Sequence, residues 1–342
     1  EAMIGLGAAC LLIRLGLALY GTGLIRAKNA AGSILRTLAD LCVATLAFWF
    51  VGAAILTQTQ NEWFSINSQV VAFNSGGTPR LFLLLTIVLV GTGIFGGAVA
   101  ERSRFFSTCA ASALLAALII PLGANWAWHG WLNRLGFTDI GGGSWLHLSG
   151  AICAAVGAIA VGPRTGKYNR DGSSSMIPGH NVPMAGIGTL GMLVGWAPYL
   201  AGCLLLTGAD ALIGPAATAT LLSASAAGAA AMLLGYYRYG KPDVILTLMG
   251  FLGGLVAITA GAGRIAAPWA VLVGAVAGVI VPLFAIWIDL LAHLDDPVGA
   301  IAIHGAGGVW GTLAVGFLSH DPNMSRLRHL EIQVIGVLAL GL

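Results

Sequence analysis

Long apolar segments separated by short polar loops run the whole length of the chain. Eleven of these segments are candidates for the roughly 20-residue helix that crosses a bilayer, although the last is shorter than that. A helix is expected for each, because lipid offers the backbone N–H and C=O groups no partners. We therefore predict an all-α membrane protein, with residues 1–342 forming a single membrane domain truncated within its eleventh helix. The segments lie near 3–25, 36–57, 81–100, 105–124, 144–162, 183–206, 212–236, 244–260, 266–289, 298–318 and 331–342.

The composition supports this fold class and excludes others. Charged residues make up 8% of the 342 residues and hydrophobic residues 58%, whereas about a quarter of the residues of a soluble domain are charged. The net charge of +3 is too small for a nucleic-acid-binding protein, and the apolar content excludes disorder. The five cysteines lie in apolar segments without a CxxC spacing, so we predict no disulfide, metal centre or cofactor.

The basic residues predict how the chain is oriented in the membrane. If the N-terminus lies outside, the inner loops hold twice as many basic residues as the outer loops, as cytoplasmic loops generally do. We therefore expect a multi-pass protein of the plasma membrane with its N-terminus outside and its C-terminus in the cytoplasm. The inner residues would be Arg26, Lys28, Arg36, Arg102, Arg104, Arg164, Lys167, Arg170, Arg238 and Lys241, and the outer ones Arg80, Arg134, Arg264, Arg326 and Arg328.

Two histidines lie inside apolar segments, where an ionisable group is costly and marks a candidate site. His147 is in the fifth segment and His304 in the tenth. Each is followed by small residues at three, four and seven positions, which would let helices approach closely and bring the two imidazoles together. Segments 1–5 and 6–10 would then be two inverted repeats with a site between them.

Two alternatives to a functional histidine pair remain open. A single buried histidine more often bonds a backbone carbonyl, which is the preferred interpretation for either residue alone. A metal site would need three or four ligands, and no third one lies at a matching depth.

The other ionisable residues near the segments favour structural roles. Arg14 and Asp40 lie part of the way along adjacent segments, and we predict that they pair as a clamp between two helices. Asp289, Asp295 and Asp296 close the ninth segment on the inner side, where we expect them to be solvated or to cap a helix.

The chain resembles the Amt/Rh ammonium transporter family, and more specifically its Amt branch, over nearly its whole length. Each motif alone is weak, but their order and spacing are typical of the family. The motifs are GLALYGTGLIRAKN (16–29), GGAVAERSRF (96–105), NWAWHGWL (125–132), GHNVPM (179–184), GTLGMLVGW (188–196), GGLVAIT (253–259) and DDPVGAIAIHGAGGVWG (295–311).

The resemblance implies eleven helices in two inverted five-helix repeats, a homotrimer and one apolar pore per subunit. Ammonium would be recruited in an outer vestibule and deprotonated there, and ammonia and a proton would pass the pore histidines, which His147 and His304 match. Trp128 matches the vestibule tryptophan, whose ring face attracts cations. Asp139 matches the buried acid behind the vestibule. The partners implied are ammonium or ammonia and the lipid bilayer, with no cofactor and no nucleic acid.

Other positions depart from the family pattern at the gate and the vestibule. The two gate phenylalanines are replaced by Ile87 and Tyr199, and the vestibule serine by Cys203, a poorer acceptor for a cation. The resemblance therefore predicts a recruitment site of Trp128, Asp139, Tyr199 and Cys203.

These departures leave a second hypothesis, a non-conducting ammonium sensor coupled to a cytoplasmic signalling module such as a histidine kinase. A membrane enzyme that uses the two histidines as acid and base is the third, and it has little support because no nucleophile or metal set accompanies them. We therefore expect no enzymatic activity in this chain.

Overall fold

The computed structural model describes residues 1–67, 78–319, 322 and 324–342, and these residues are almost entirely helical. They contain no β-strand, only an isolated bridge between Tyr168 and Ser174. In chain order the described helices are α1 (Ala2–Leu24), α2 (Ala27–Leu56), α3 (Pro79–Ala98), α4 (Phe105–Leu135), α5 (Gly143–Val161), α6 (Val182–Leu206), α7 (Asp210–Tyr239), α8 (Val244–Thr259), α9 (Ala267–Leu290), α10 (Ala302–Leu318) and α11 (Arg326–Gly341).

The predicted all-α membrane fold is confirmed. Eight of the described helices, α1 to α7 and α9, are long and apolar enough to cross a bilayer, while α8 and α10 are shorter apolar helices. The last helix, α11, has 16 residues. Length and composition thus support at least eight spans, and the count of eleven stays a prediction.

Two helix boundaries differ from those that the hydropathy pattern predicts. The second begins at Ala27 rather than near residue 36, because basic residues in its first turns do not interrupt it: Arg36 donates to the carbonyl of Ser103 at 2.8 Å. The fourth continues to Trp128 and, after a break, to Leu135. The prediction of a loop from residue 124 was therefore wrong.

The first and sixth helices pack closely because small residues face each other. A Cβ placed on Gly16 would lie 2.5 Å from the carbonyl oxygen of Gly188, so the two backbones are in direct contact. This contact joins the first five helices to the second five. The inverted repeat itself stays a prediction.

The predicted pair of Arg14 and Asp40 is confirmed. The Arg14 guanidinium donates to the Asp40 carboxylate, which also accepts the hydroxyl of Thr92 at 3.3 Å. Both charged residues are 6% exposed. The guanidinium lies over Gly93, where a Cβ would collide with it. The pair joins α1, α2 and α3, as a clamp between helices requires.

Charged side chains also tie the helices together at the end of the bundle where α3 and α5 finish, here called the Glu101 end. The Glu101 carboxylate accepts hydrogen bonds from Arg26, Asn29 and Arg164, all at 2.6–2.9 Å. Arg164 also pairs with Asp295 at 2.9 Å. The backbone of Glu101 is left-handed, with φ of 71°, a conformation that these contacts hold in place.

The three aspartates at the end of α9 and beyond differ in environment: Asp289, in the last turn of α9, pairs with Lys167 at 2.9 Å. Asp296 caps the start of α10, accepting the N–H groups of Ala300 and Ile301, as predicted. The prediction was wrong for Asp295, which is 2% exposed and bound to Arg164. The sequence did not indicate this because its partner lies 131 residues away.

The Glu101 contacts predict a pH dependence of stability. Burial raises the pKa of Glu101, but hydrogen bonds from Arg164, Arg26 and Asn29 outweigh it and hold the pKa at about 2, below the usual 4.5. The folded protein then binds fewer protons than the unfolded one between these values. We expect the unfolding free energy in detergent to fall as the pH drops from 4.5 to 2, and Glu101→Gln to flatten this slope. Glu331→Gln, which alters an exposed pair, should not change the slope.

Candidate functional site

The two buried histidines lie on widened helical turns inside the bundle. His147 is in the π-helical turn Gly143–Leu148 that begins α5, and His304 is in the π-helical turn Ala302–Ala306 that begins α10. Such turns are rare in proteins as a whole but occur often at functional sites. The extra residue in the turn changes the direction in which the side chains point.

The structure brings the two imidazoles into contact. The Nδ1 atoms of His147 and His304 are 3.1 Å apart, and the rings are nearly parallel, with 12° between their planes. The exposed fractions are 0% and 5%. Because one Nδ1 must donate and the other accept, a single proton lies between the rings when both are neutral. The pair is a polar position, able to pass a proton, within an apolar interior.

A tryptophan completes this centre. The Trp196 ring stacks on His147, with ring centroids 5.3 Å apart and 8° between planes. Its Nε1 donates to the hydroxyl of Thr259 at 3.0 Å, which fixes the ring. Sequence analysis did not identify Trp196 as a site residue, although the motif GTLGMLVGW ends on it, because no spacing within α6 indicates contact with α5.

Small residues let α5 and α10 approach each other, but only some of the predicted ones do so. A Cβ on Gly308 would lie 2.4 Å from the carbonyl oxygen of Gly143, so these backbones touch. The other small residues of the two stripes face other helices. Gly150 packs against Ile94 of α3, and Gly311 against the backbone of Ala257 on α8. These small residues pack against different helices, because other helices of the bundle surround both α5 and α10.

Asp139 holds the start of α5 at the opposite end of the bundle, here called the Asp139 end. Its carboxylate accepts the N–H groups of Gly142, Gly143 and Ser144 at 2.7–2.8 Å and that of Trp145 at 3.3 Å. These are the donors that a helix N-terminus leaves unpaired. Burial raises the pKa of Asp139 to about 6, although the four N–H groups oppose the rise. The carboxyl is therefore mainly ionised at neutral pH.

Two aromatic residues are attached to the same loop. The indole Nε1 of Trp128 lies 3.3 Å from the carbonyl oxygen of Asp139 and 3.2 Å from that of Ile140. The hydroxyl of Tyr199 donates to the carbonyl of Gly141. Three of the four predicted recruitment residues are thus connected through residues 139–141.

Cys203 and Ile87, the other two predicted residues of the vestibule and gate, are buried. Cys203 follows Tyr199 by one helical turn and is 0% exposed, and Ile87 in α3 is 1% exposed. All three belong to one cluster of buried side chains. Among the described residues, no group of three His, Cys, Asp or Glu side chains could hold a metal ion.

The fold and this site define a multi-pass helical membrane protein with two histidines in contact at its centre. A model of the Ammonium Transporter Family matches residues 2–340, and the chain belongs to that family. Membership of this family supports a function in ammonium transport or sensing, and the family is one of transporters rather than enzymes.

Named relatives agree with this assignment. Ammonium transporter Amt2 of Archaeoglobus fulgidus is 34% identical over 331 residues, covering 92% of this chain and 70% of the relative. A putative ammonium transporter of Synechocystis is 31% identical, covering 92% of this chain, and this chain spans only 61% of its length.

Solved structures show the same fold. A protein described as "Sensor Amt Protein" superposes with a TM-score of 0.94 at 33% identity, over 99% of this chain and 88% of that one. Mep2 of Saccharomyces cerevisiae gives a TM-score of 0.86 at 23% identity, over 99% and 82% of the two chains, which supports the fold alone.

The capping contacts predict that Asp139 is essential for stability. Asp139→Ala leaves four N–H groups without their acceptor, and at about 1–3 kcal/mol for each buried unsatisfied group we expect a loss of at least about 4 kcal/mol. Asp139→Asn, which keeps one acceptor oxygen, should lose less. Denaturant unfolding in detergent measures both. The exposed Asp210 at the start of α7 supplies the control Asp210→Ala, and equal losses in the two alanine variants would contradict the capping role.

Proposed function

We propose that the chain recruits ammonium at the Asp139 end and passes ammonia and a proton through an apolar pore in which His147 and His304 are the central polar groups. The observation that carries this proposal is the contact between the two imidazoles, with Nδ1 atoms 3.1 Å apart inside an apolar bundle. Membership of the ammonium transporter family supplies the substrate.

The chemistry follows from the cost of moving a charge into an apolar tube. Ammonium is a hydrated cation and cannot enter such a tube without a large loss of solvation, whereas neutral ammonia can. The Trp128 ring attracts the cation at the mouth through its π face. Sodium is excluded because it has no proton to lose. Beyond the mouth, the histidine pair accepts and donates a proton.

The orientation and assembly are parts of the same proposal. The Asp139 end faces the outside and the Glu101 end the cytoplasm, in agreement with the distribution of basic residues. The chain acts as a single membrane domain in the plasma membrane, and three copies form a homotrimer with one pore in each.

Sensing is the second candidate function. Two features of the Asp139 end favour it. The hydroxyl of Tyr199 already donates its hydrogen bond to the carbonyl of Gly141, and the thiol of Cys203 is a weak hydrogen-bond acceptor for a cation. The similar solved structure described as a sensor Amt protein also supports it. A sensor would bind ammonium without passing it and would signal through a cytoplasmic module.

Proteoliposomes distinguish the two functions. A conducting protein gives an ammonium-dependent current, and we expect His147→Ala to reduce it by about tenfold or more, because the pore then lacks its proton-accepting pair. His293→Ala is the matched control, since this histidine lies in a loop and contacts the carbonyl of Gly172. Saturable ammonium binding without any current would replace conduction by sensing.

The recruitment site makes a separate prediction. We expect Trp128→Ala to weaken ammonium binding by about 1–2 kcal/mol, the size of a desolvated cation–π contact. Calorimetry with the purified protein measures the affinity. Trp126→Ala is the control, because the indole of Trp126 is bound to the carbonyl of Trp63 instead. Unchanged affinity in Trp128→Ala would mean that ammonium binds elsewhere.

A further inference from the structure

The ring of Trp128 is oriented by the backbone that precedes α5. Its Nε1 lies 3.3 Å from the carbonyl oxygen of Asp139 and 3.2 Å from that of Ile140. The ring of Trp145 packs edge-on against it, with centroids 5.1 Å apart and 76° between the planes. The direction of the face that Trp128 presents therefore depends on how residues 138–141, here called the Asp139 loop, are held.

A glutamine on α11 holds the first residue of the Asp139 loop. The amide of Gln333 pairs with both backbone groups of Thr138: its Oε1 accepts the N–H at 3.0 Å, and its Nε2 donates to the carbonyl oxygen at 2.8 Å. The same Nε2 donates to the carbonyl oxygen of Thr312 on α10, at 3.1 Å. The amide oxygen and both N–H groups of the side chain are thus bonded.

Close helix contacts fix the position of this glutamine. Gln333 is 0% exposed. A Cβ placed on Gly316 of α10 would lie 2.7 Å from the Cα of Leu330, and one on Gly336 of α11 would collide with the ring of Phe137. The backbone of α11 therefore approaches α10 on one side and the residue before the Asp139 loop on the other, with Gln333 between them.

Thr312 connects the same glutamine with the histidine centre. The hydroxyl of Thr312 lies 2.6 Å from that of Ser144, in the π-helical turn that also holds His147. Thr312 is itself on α10, about two turns after His304. Gln333 therefore joins the Asp139 loop to the helix that carries one histidine, and through Thr312 to the turn that carries the other.

The pairing of an amide with both backbone groups of one residue is more specific than a hydrophobic contact. Buried backbone N–H and C=O groups need partners, and without Gln333 the backbone at Thr138 would turn to find others. Because peptide units are rigid planes, the carbonyls of Asp139 and Ile140 would turn with it. These two carbonyls are the acceptors of the Trp128 indole.

We propose that Gln333 is a positioning residue for ammonium recruitment. By fixing Thr138 against α10, it sets the direction of the carbonyls of Asp139 and Ile140, and through them the orientation of the Trp128 ring. The inference rests on the proposed function, because it takes Trp128 as the aromatic residue that recruits ammonium. The helix α11, which follows the ten helices of the two predicted repeats, is then part of the recruitment site.

A double-mutant cycle on ammonium affinity tests whether Gln333 acts through Trp128. Gln333→Met removes three hydrogen bonds at similar size, and we expect it to weaken binding about fivefold in calorimetry, a part of the cation–π contribution. In the Trp128→Ala background the same change should have no further effect, because effects that act through one group do not add. Unchanged affinity in Gln333→Met, or effects that add in the double variant, would overturn the proposal.

Gln58→Met is the matched control for the loss of a buried amide. Gln58 is 2% exposed, and its amide also makes three hydrogen bonds, which join it to Asn61 and Asn125. None of these bonds reaches the Asp139 loop, so we expect the ammonium affinity to stay unchanged. An equal loss of affinity in Gln58→Met and Gln333→Met would contradict a specific role of Gln333.

The indole N–H of Trp128 gives a measurement that needs no ammonium. In protein labelled with ¹⁵N at the indole nitrogens, the resonance is assigned by its absence in Trp128→Phe. We expect Gln333→Met to shift this resonance, whereas that of Trp126, which donates to the carbonyl of Trp63, should stay in place. An unshifted Trp128 resonance, or equal shifts of both, would contradict the positioning role.

The variant Gln333→Glu keeps the test decisive if Gln333→Met does not fold. A carboxylic acid at this position offers one acceptor oxygen for the N–H of Thr138 and one O–H donor, so we expect a smaller loss of affinity and a smaller shift of the Trp128 resonance. No shift in this variant would contradict the proposal. If Trp128→Ala leaves ammonium affinity unchanged, recruitment at Trp128 fails, whereas the indole resonance still decides whether Gln333 positions the ring.

Discussion

The contact between His147 and His304 imposes the strongest constraint on this molecule, because it keeps two ionisable rings in an interior that disfavours charge. A single hydrogen bond joins the rings, with Nδ1 atoms 3.1 Å apart, and Trp196 covers His147 on one face. Two helices must therefore touch at the level of the pair, and both widen into π-helical turns there. The backbone contact of Gly308 with Gly143 provides this approach.

The two ends of the bundle hold this centre by different chemistry. At the Asp139 end one buried carboxylate replaces the missing acceptors of the first turn of α5, and this turn contains His147. At the Glu101 end, paired arginines and carboxylates join α1, α3, α5 and the start of α10. Asp296 caps that start, close in sequence to His304. Each histidine turn is thus anchored by a carboxylate on its N-terminal side, and the geometry of the pair depends on both.

Polar groups inside the bundle divide into satisfied and unsatisfied ones. Asp139 and Asp295 have acceptors fully used by N–H donors, which suits a structural role. Arg14 and Asp40 keep free donor and acceptor atoms beside a cavity. In an apolar interior the unpartnered atoms carry a desolvation cost that the fully bonded carboxylates avoid.

Much of the fold was predictable from the chain alone. Apolar segments of membrane length predict the helices, and eight of them are long enough in the structure. The predicted pairing of Arg14 with Asp40 also held, since a charge in lipid needs an opposite charge nearby. The boundaries of α2 and α4 were missed because hydropathy shows where an apolar run begins and ends, whereas these two helices continue into segments with polar residues such as Lys28 and Asn125. The roles of Trp128, Tyr199, Cys203 and Ile87 stay predictions.

Local sequence, through the length of its apolar runs and the few ionisable residues within them, determined that this chain is a helical membrane protein and which side chains are candidates for its site. Only the tertiary structure decided which of them meet. The stacking of Trp196 on His147, the burial of Asp295 against Arg164 and the shared cavity of Arg14 and His304 each join residues far apart in the chain. Such contacts depend on how helices pack around one another, and the periodicity of a single helix carries no information about its neighbours.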